Sequence, residues 1–316
     1  MPLRSSLLLI ALLVSGCASA PPAPRLQVVD LTDDFGRFYD TTASMEEAER
    51  IAAMQQHLEA LLPGFYDAGR RSFPAGFDYS RLIGAALTNY PKQRAGIEDV
   101  SRRFASLSEP AIRSFEATVG PFTEPRTVYL LHSLGEMDGG MRTLRDGSFL
   151  IFGADVIARV HLQHDVQPFF HHELFHLWHA SRFKGCGDAL WCDLWTEGLA
   201  VFVAASLNPK VTDAELLLNF PEPLRPAVEQ NRKEAVCAVV QRFDSTAAAD
   251  SSTLFRGSPD NRLSPTIPPR FGYYVGYLAA AEAAKSHSLK TLAHMPPEEV
   301  RPLLLSSLNR LADCDR

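Results

Sequence analysis

Two short stretches carry side chains whose types and spacing could do chemistry. The first is His171-His172-Glu173-Leu174-Phe175-His176-Leu177-Trp178-His179, which contains His-Glu-x-x-His at His172, Glu173 and His176. On a helix, side chains four apart share a face with Cβ atoms about 5–6 Å from one another. Two imidazoles so placed can converge on one Zn²⁺ at about 2.0–2.1 Å each. Glu173 projects beside them, where a carboxylate can take a proton from a water at the metal. The second stretch, Trp195-Thr196-Glu197-Gly198-Leu199-Ala200, offers Glu197 as a third ligand. Two His and one Glu is a ligand set of catalytic zinc sites, with the fourth position left for water. His161, His164, His171 and His179 crowd the motif, but none has better ligand spacing. They read as hydrogen-bonded core or rim residues, with His179 one turn beyond His176.

Helices must position these groups. Asp165 is placed to cap the first, and Pro168 falls in its first turn, where a missing N–H costs little. Arg182, Lys184 and Gly185 mark its end. Phe169, Phe170, Leu174, Phe175, Leu177 and Trp178 leave no polar face, so the helix is expected to be buried. Buried histidines need partners, and a metal answers that need for two of them. Asp193 predicts the cap of a second helix reaching about Leu207, stopped by Asn208-Pro209. Glu197 would then lie in its first turn, where the helix dipole favours the ionised carboxylate.

The paired motifs resemble those of the gluzincin superfamily of zinc metallopeptidases. The likeness is greatest to bacterial zinc-dependent proteases whose second motif is of the Glu-Gly-Leu-Ala type, and it covers about residues 125–310. The resemblance implies His172, His176 and Glu197 as ligands and Glu173 as general base. It implies a Tyr-x-x-Gly element, matched by Tyr273-Tyr274-Val275-Gly276, with Tyr273 stabilising an oxyanion. Tyr274 and Tyr277 are rivals, and on a helix Tyr277 shares the face of Tyr273. The resemblance also implies that the strand before the metal helix lies at a sheet edge and pairs with an extended peptide. That role would fall on Ser148–Gly153, with Gly139 and Gly140 nearby. Two departures stand out. Val201 occupies the place where some relatives carry an Asp that supports a zinc-bound His. The metzincin pattern is absent, since His179 and Arg182 stand where it wants Gly and His.

The expected fold class is α+β and mostly helical: a small mixed sheet on the His-Glu-x-x-His helix, with an N-terminal helical region. Residues 1–20 read as an export signal, with Arg4 before the apolar run Leu7–Val14. The run is too short to span a bilayer. Val14-Ser15-Gly16-Cys17 resembles a lipobox, which implies cleavage before Cys17, lipidation of its thiol and a place at the bacterial cell envelope. The rival is an ordinary secretory signal cut near Ala18-Ser19-Ala20. Residues 21–43 are read as a tether that begins with Pro21-Pro22-Ala23-Pro24.

Residues 44–125 follow as the helical region. A capping box at Ser44 and Glu47 opens its first helix, Asp78 a second through Leu87, and a third and fourth run on to Val119. Residues 126–316 form the expected catalytic domain. Strands are predicted at Arg126–Leu131 and Ser148–Gly153, with a glycine-rich link from Gly135 to Gly140. Beyond Leu207 the expectation is a helix around Ala227–Phe243, a long loop over 245–270, a small-residue helix over Phe271–Ala284 and short helices to Leu311. Gly272 and Gly276 are expected to permit close packing there, and Pro302 to mark a helix start. No second apolar run is expected to reach membrane-spanning length.

Hydrophobic residues make up 46% of the chain and charged residues 22%, as in an ordinary globular protein. The net charge of −6 gives no support for nucleic-acid binding. With Cys17 set aside, Cys186, Cys192, Cys237 and Cys314 allow three pairings. Cys186–Cys192 with Cys237–Cys314 is favoured, the first pinning the loop between the two ligand-bearing helices. A cysteine-rich zinc site fits an exported chain less well. The expectation is a zinc-dependent hydrolase, in particular a metallopeptidase acting on a peptide or protein substrate. The alternative is a lipid-anchored binding or scaffold protein on a non-catalytic gluzincin fold, and a third reading is a hydrolase of non-peptide amides.

Overall fold

Four strands form one mixed sheet in the order β1-β2-β4-β3. They are β1 (Leu26–Asp30), β2 (Arg126–Leu131), β3 (Gly139–Leu144) and β4 (Gly147–Gly153). The computed structural model describes residues 26–67 and 77–314, so the export signal and Cys17 lie outside the described residues. β1, β2 and β4 run parallel, and β3 folds back antiparallel on β4 with Gly140 opposite Ile151. Gly147 closes this hairpin at φ +140°, a conformation that disfavours any side chain.

The described residues carry twelve α-helices. Before the second strand come α1 (Thr32–Thr41), α2 (Glu47–Leu61) and α3 (Tyr79–Thr118). After the sheet come α4 (Ala154–Val160), α5 (Gln167–His179) and α6 (Leu190–Leu207). The chain ends in α7 (Leu224–Gln230), α8 (Arg232–Gln241), α9 (Ala248–Phe255), α10 (Phe271–Ala283), α11 (Leu289–His294) and α12 (Pro297–Leu311). The fold is therefore α+β and mostly helical, as its sequence pattern predicts.

Several local expectations are corrected. The stretch read as a tether is structured from Leu26: β1 adds a parallel strand to β2, and Leu31 N donates to Leu130 O at 2.8 Å. Leu26 and the α1 residue Phe35 are buried in the common core. The separate helices expected between Asp78 and Val119 are one 40-residue helix, α3, with Pro91 and Pro110 inside it. An interior proline removes one backbone bond. Here a continuous buried stripe through Ile83, Ile97, Val100, Phe104 and Phe115 outweighs those breaks. Asp78 does cap it, accepting from Ser80 N at 3.1 Å. The Ser44–Glu47 capping box does not form: α2 starts after Glu46 with no side-chain cap.

The helix expected over 227–243 is broken at Asn231 into α7 and α8, and the long loop contains α9. Pro302 lies inside α12, whose start is marked by Pro297. α6 is apolar and long enough to cross a membrane, contrary to the expectation that no such run exists. It is the central helix of the fold, packed between α5 and α10, which explains its lack of a polar face. One core joins both halves of the chain: Phe104 of α3 meets Phe152 of β4 at 5.2 Å and Phe170 of α5 at 5.7 Å.

Candidate metal centre and cleft

α5 presents the first two candidate ligands. Val166, not Asp165, stands at its N-cap and makes no side-chain cap. Asp165, one residue earlier, accepts from Gln167 N at 2.9 Å, and Pro168 lies in the first turn. Near its end, Arg182 donates to Trp178 O at 2.8 Å and lies over the Trp178 ring at 4.0 Å. A cation there satisfies a carbonyl that the helix leaves unpaired.

α6 brings the third ligand, but not as the dipole argument supposed. The helix begins at Leu190, so Glu197 sits two turns in and Asp193 is no cap. Asp193 accepts from Ser251 Oγ instead. The amides of Leu190 and Trp191 donate to Ser245 O and Phe243 O, which satisfies that end of the helix. The Cys186–Cys192 disulfide ties the connecting loop to the first turn of α6, and Cys237–Cys314 ties α8 to the chain end. Both favoured pairings are therefore present.

The three ligand atoms converge. His172 Nε2 and His176 Nε2 are 2.9 Å apart, and Glu197 Oε2 lies 3.5 and 3.3 Å from them. Atoms about 2.0–2.1 Å from a shared tetrahedral ion lie about 3.3–3.4 Å from each other, so the set fits a Zn²⁺-sized cation. Among the described residues it is the only His, Cys and carboxylate group so arranged. Its electrostatics agree. Burial raises the Glu197 carboxyl, but the charge and hydrogen bonds of the two imidazoles outweigh it and hold the group well below the usual carboxylate range. Burial lowers His176, yet Glu197 prevails and raises it to about 9. For His172 burial wins and the pKa falls. One proton on His176 thus sits among three lone-pair donors, where a metal would replace it.

Glu173 is buried beside the ligands, and its Oε2 has no hydrogen-bond partner. Burial pushes its carboxyl up to about 8. The edge strand makes room for it: a Cβ on Gly139 would lie 2.8 Å from Glu173 Cγ. That edge strand is β3, not Ser148–Gly153, which corrects the expectation. β4 pairs on both sides, whereas β3 has one free edge facing the cleft.

Tyr273 enters the cleft from α10, as the resemblance implies. α6 and α10 meet backbone to backbone: a Cβ on Gly198 would stand 2.2 Å from the Gly276 carbonyl carbon. This contact sets Tyr273 against the ligands, with ring centres of Tyr273 and His172 6.4 Å apart. The rivals face elsewhere. Tyr274 donates to Glu229 and accepts from Arg225, and Tyr277 packs on Phe202. Burial and the Glu197 charge push the Tyr273 phenol up, so it keeps its proton.

Of the other histidines, His161, His164 and His171 are core or rim residues as expected, whereas buried His179 departs from the expectation, its Nε2 having no hydrogen-bond partner. His171 accepts from Asn208 Nδ2 at 2.8 Å and donates to Ser114 Oγ at 2.7 Å. His179 is stacked between Phe175 and Phe183, and burial pushes it down to about 3. It lines the cleft but contributes no ligand atom. His161 pairs with Asp138 at 2.7 Å, and His164 lies exposed beyond α4. Asp138 was missed by sequence reasoning. It stands at the start of β3 beside Glu173 and lines the same cavity, and burial of its carboxyl is outweighed by the His161 bond, so its pKa is lowered. Arg270 was also missed: in the left-handed conformation (φ +66°), it lies over the Tyr273 ring at 4.5 Å and donates to Phe220 O. No motif spacing marks either residue.

The ligands open onto a cavity of about 450 Å³, next to one of about 110 Å³ walled by Glu173, Tyr273 and Arg270. No protein-family model, no curated protein and no solved structure matches this chain.

Proposed function

We propose that this protein is a zinc-dependent hydrolase of the gluzincin kind that cuts peptide bonds. One observation carries the reading: three ligand atoms converge within 3.5 Å beside a buried Glu173 with an unpartnered oxygen. His172, His176 and Glu197 would hold the ion. When bound, Zn²⁺ supplies a Lewis acid that acidifies a water and polarises a carbonyl. Glu173 accepts the proton at its free oxygen and returns it to the leaving amine. Its pKa of about 8 reflects burial, and a nearby cation pulls it back toward ionisation. Tyr273 donates its O–H to the oxygen that gains charge, and Arg270 holds its ring. The free edge of β3 offers N–H and C=O groups to an extended peptide.

A scaffold has no evident need for Glu173, a buried carboxyl that costs stability unless it is used. Two disulfides suit an oxidising compartment, and with the Cys17 lipobox they support lipid anchoring at the cell envelope. The test is metal content and hydrolysis of a quenched peptide pool, measured before and after chelation. We expect one zinc per chain and activity that zinc alone restores. Protein that takes up no zinc sinks the reading.

A further inference from the structure

The cleft extends well beyond the ligands. Pro168 walls one end and Ala180 the other, at opposite ends of α5. The twelve residue steps from Pro168 to Ala180 span about 18 Å at 1.5 Å each. An extended chain rises about 3.3 Å per residue, so about five substrate residues fit, with the ligands near the middle. Residues on both sides of the reacting bond are therefore held.

A depression of about 320 Å³ opens off the Ala180 end and shares Met141 and Ala180 with the cleft. Phe149 and Leu177 help to form its apolar wall, and Arg126 and Lys184 add two cations. Neither cation has an ion-pair partner among the described residues. Arg182 is a third positive charge close by: burial lowers its pKa first, and the repulsion of Arg126 adds to that. This concentration of positive charge runs against a chain whose net charge is −6. The Pro168 end differs: its acids Asp138 and Glu215 already have partners in His161 and Thr212, and its cation, Arg270, is engaged by Leu217 O, Phe220 O and the Tyr273 ring. Two unpaired cations beside an apolar wall suit a carboxylate on a short aliphatic stem, as in a Glu side chain.

We infer that the substrate is a polypeptide gripped away from its ends, with an acidic side chain seated against Arg126 and Lys184. The inference rests on the peptidase reading of the same cleft. It is tested by binding, apart from catalysis, using chelator-treated full-length protein. The probes are fluorescent ten-residue peptides with both termini blocked, carrying Glu, Gln or Lys on either side of a central apolar residue. We expect the Glu peptide to bind about tenfold more tightly than the Gln peptide, or about 1.4 kcal/mol. Arg126→Glu with Lys184→Glu should reverse the preference, and Arg126→Gln should weaken it, both with unchanged melting temperature.

Equal binding of the three peptides, or no binding up to about 1 mM, overturns the inference. An unchanged preference in the double variant, with loss of binding to phosphatidylglycerol vesicles, overturns it in favour of a membrane contact. The same peptides are then offered to zinc-loaded protein. An acidic preference without cleavage removes the hydrolase reading and leaves the recognition standing. Cleavage without an acidic preference does the reverse.

Discussion

The two sides of α5 hold histidines under opposite conditions. On one side His171 has a neutral partner at each nitrogen, Asn208 on α6's end and Ser114 on α3. Burial pushes it down to about 4, so it is neutral and needs nothing more. On the other side His172 and His176 face each other and a carboxylate. Burial acts on both sides alike. The difference is what the neighbouring helix offers: an amide and a hydroxyl complete one imidazole, while Glu197 creates a demand for a cation. A histidine's role here is set across the helix interface rather than along the helix.

The largest effect should come from deleting that demand. Glu197→Ala is expected to lose zinc through gel filtration and, with it, all hydrolysis above background, while Asn208→Ala keeps its metal. Elemental analysis of the two variants decides, and equal zinc in both removes Glu197 from the ligand set. Glu173→Gln comes next. It should keep zinc and slow hydrolysis by about 10²–10⁴, the usual worth of a general base. Full activity in this variant ends the proposed mechanism.

Tyr273→Phe should lower kcat by about 10²–10³, equivalent to about 2.7–4 kcal/mol, with KM and zinc nearly unchanged. Tyr277→Phe should be silent, because Tyr277 packs on Phe202 away from the ligands. A slow Tyr277→Phe beside a normal Tyr273→Phe would move the assignment by one turn.

On the satisfied side, Asn208→Ala strips the donor from His171 Nδ1. It should cost about 1–3 kcal/mol in urea denaturation and leave zinc affinity alone. A changed zinc affinity would mean the two sides are coupled. The smallest signal is a proton count. His176 lies at about 9 in metal-free protein, so it is protonated at pH 7 and must release that proton when zinc binds. Glu173, raised to about 8, gives up a second proton when the cation ionises it, so calorimetry in buffers of different ionisation enthalpy should report about two protons released per zinc. Affinity should fall as pH drops below 9. Zinc binding without proton release at pH 7 contradicts the His176–Glu197 pairing.

Much of this site is legible in the sequence, because it rests on local rules. Four-residue spacing on a helix makes His172 and His176 converge whatever the rest of the chain does. Asp165, Pro168 and Arg182 mark the ends of α5, and cysteine parity in an exported chain narrows the disulfides to three pairings. The small residues Gly272 and Gly276 suggest a close approach, though not that Gly198 would be the partner. The sheet is harder. β3 begins Gly139-Gly140 and reads as a link, because glycine signals loop unless a tertiary reason demands it. That reason is Glu173, whose side chain occupies the space a Cβ would need.

What the chain determined by itself is therefore the periodic part: α5 and α6 as apolar helices, two imidazoles on one face of the first and a carboxylate on the second. These follow from spacing and from the cost of burying polar groups unpaired. Only the tertiary structure decided which strand holds the free edge, which tyrosine turns inward and which histidines are already satisfied. It also brought Asp138 to His161 and Arg270 to Tyr273. Each of those outcomes depends on atoms distant in sequence meeting across helix and sheet interfaces. Local propensity and hydrophobic period carry no record of such meetings, because they describe which face is buried and not what it is buried against.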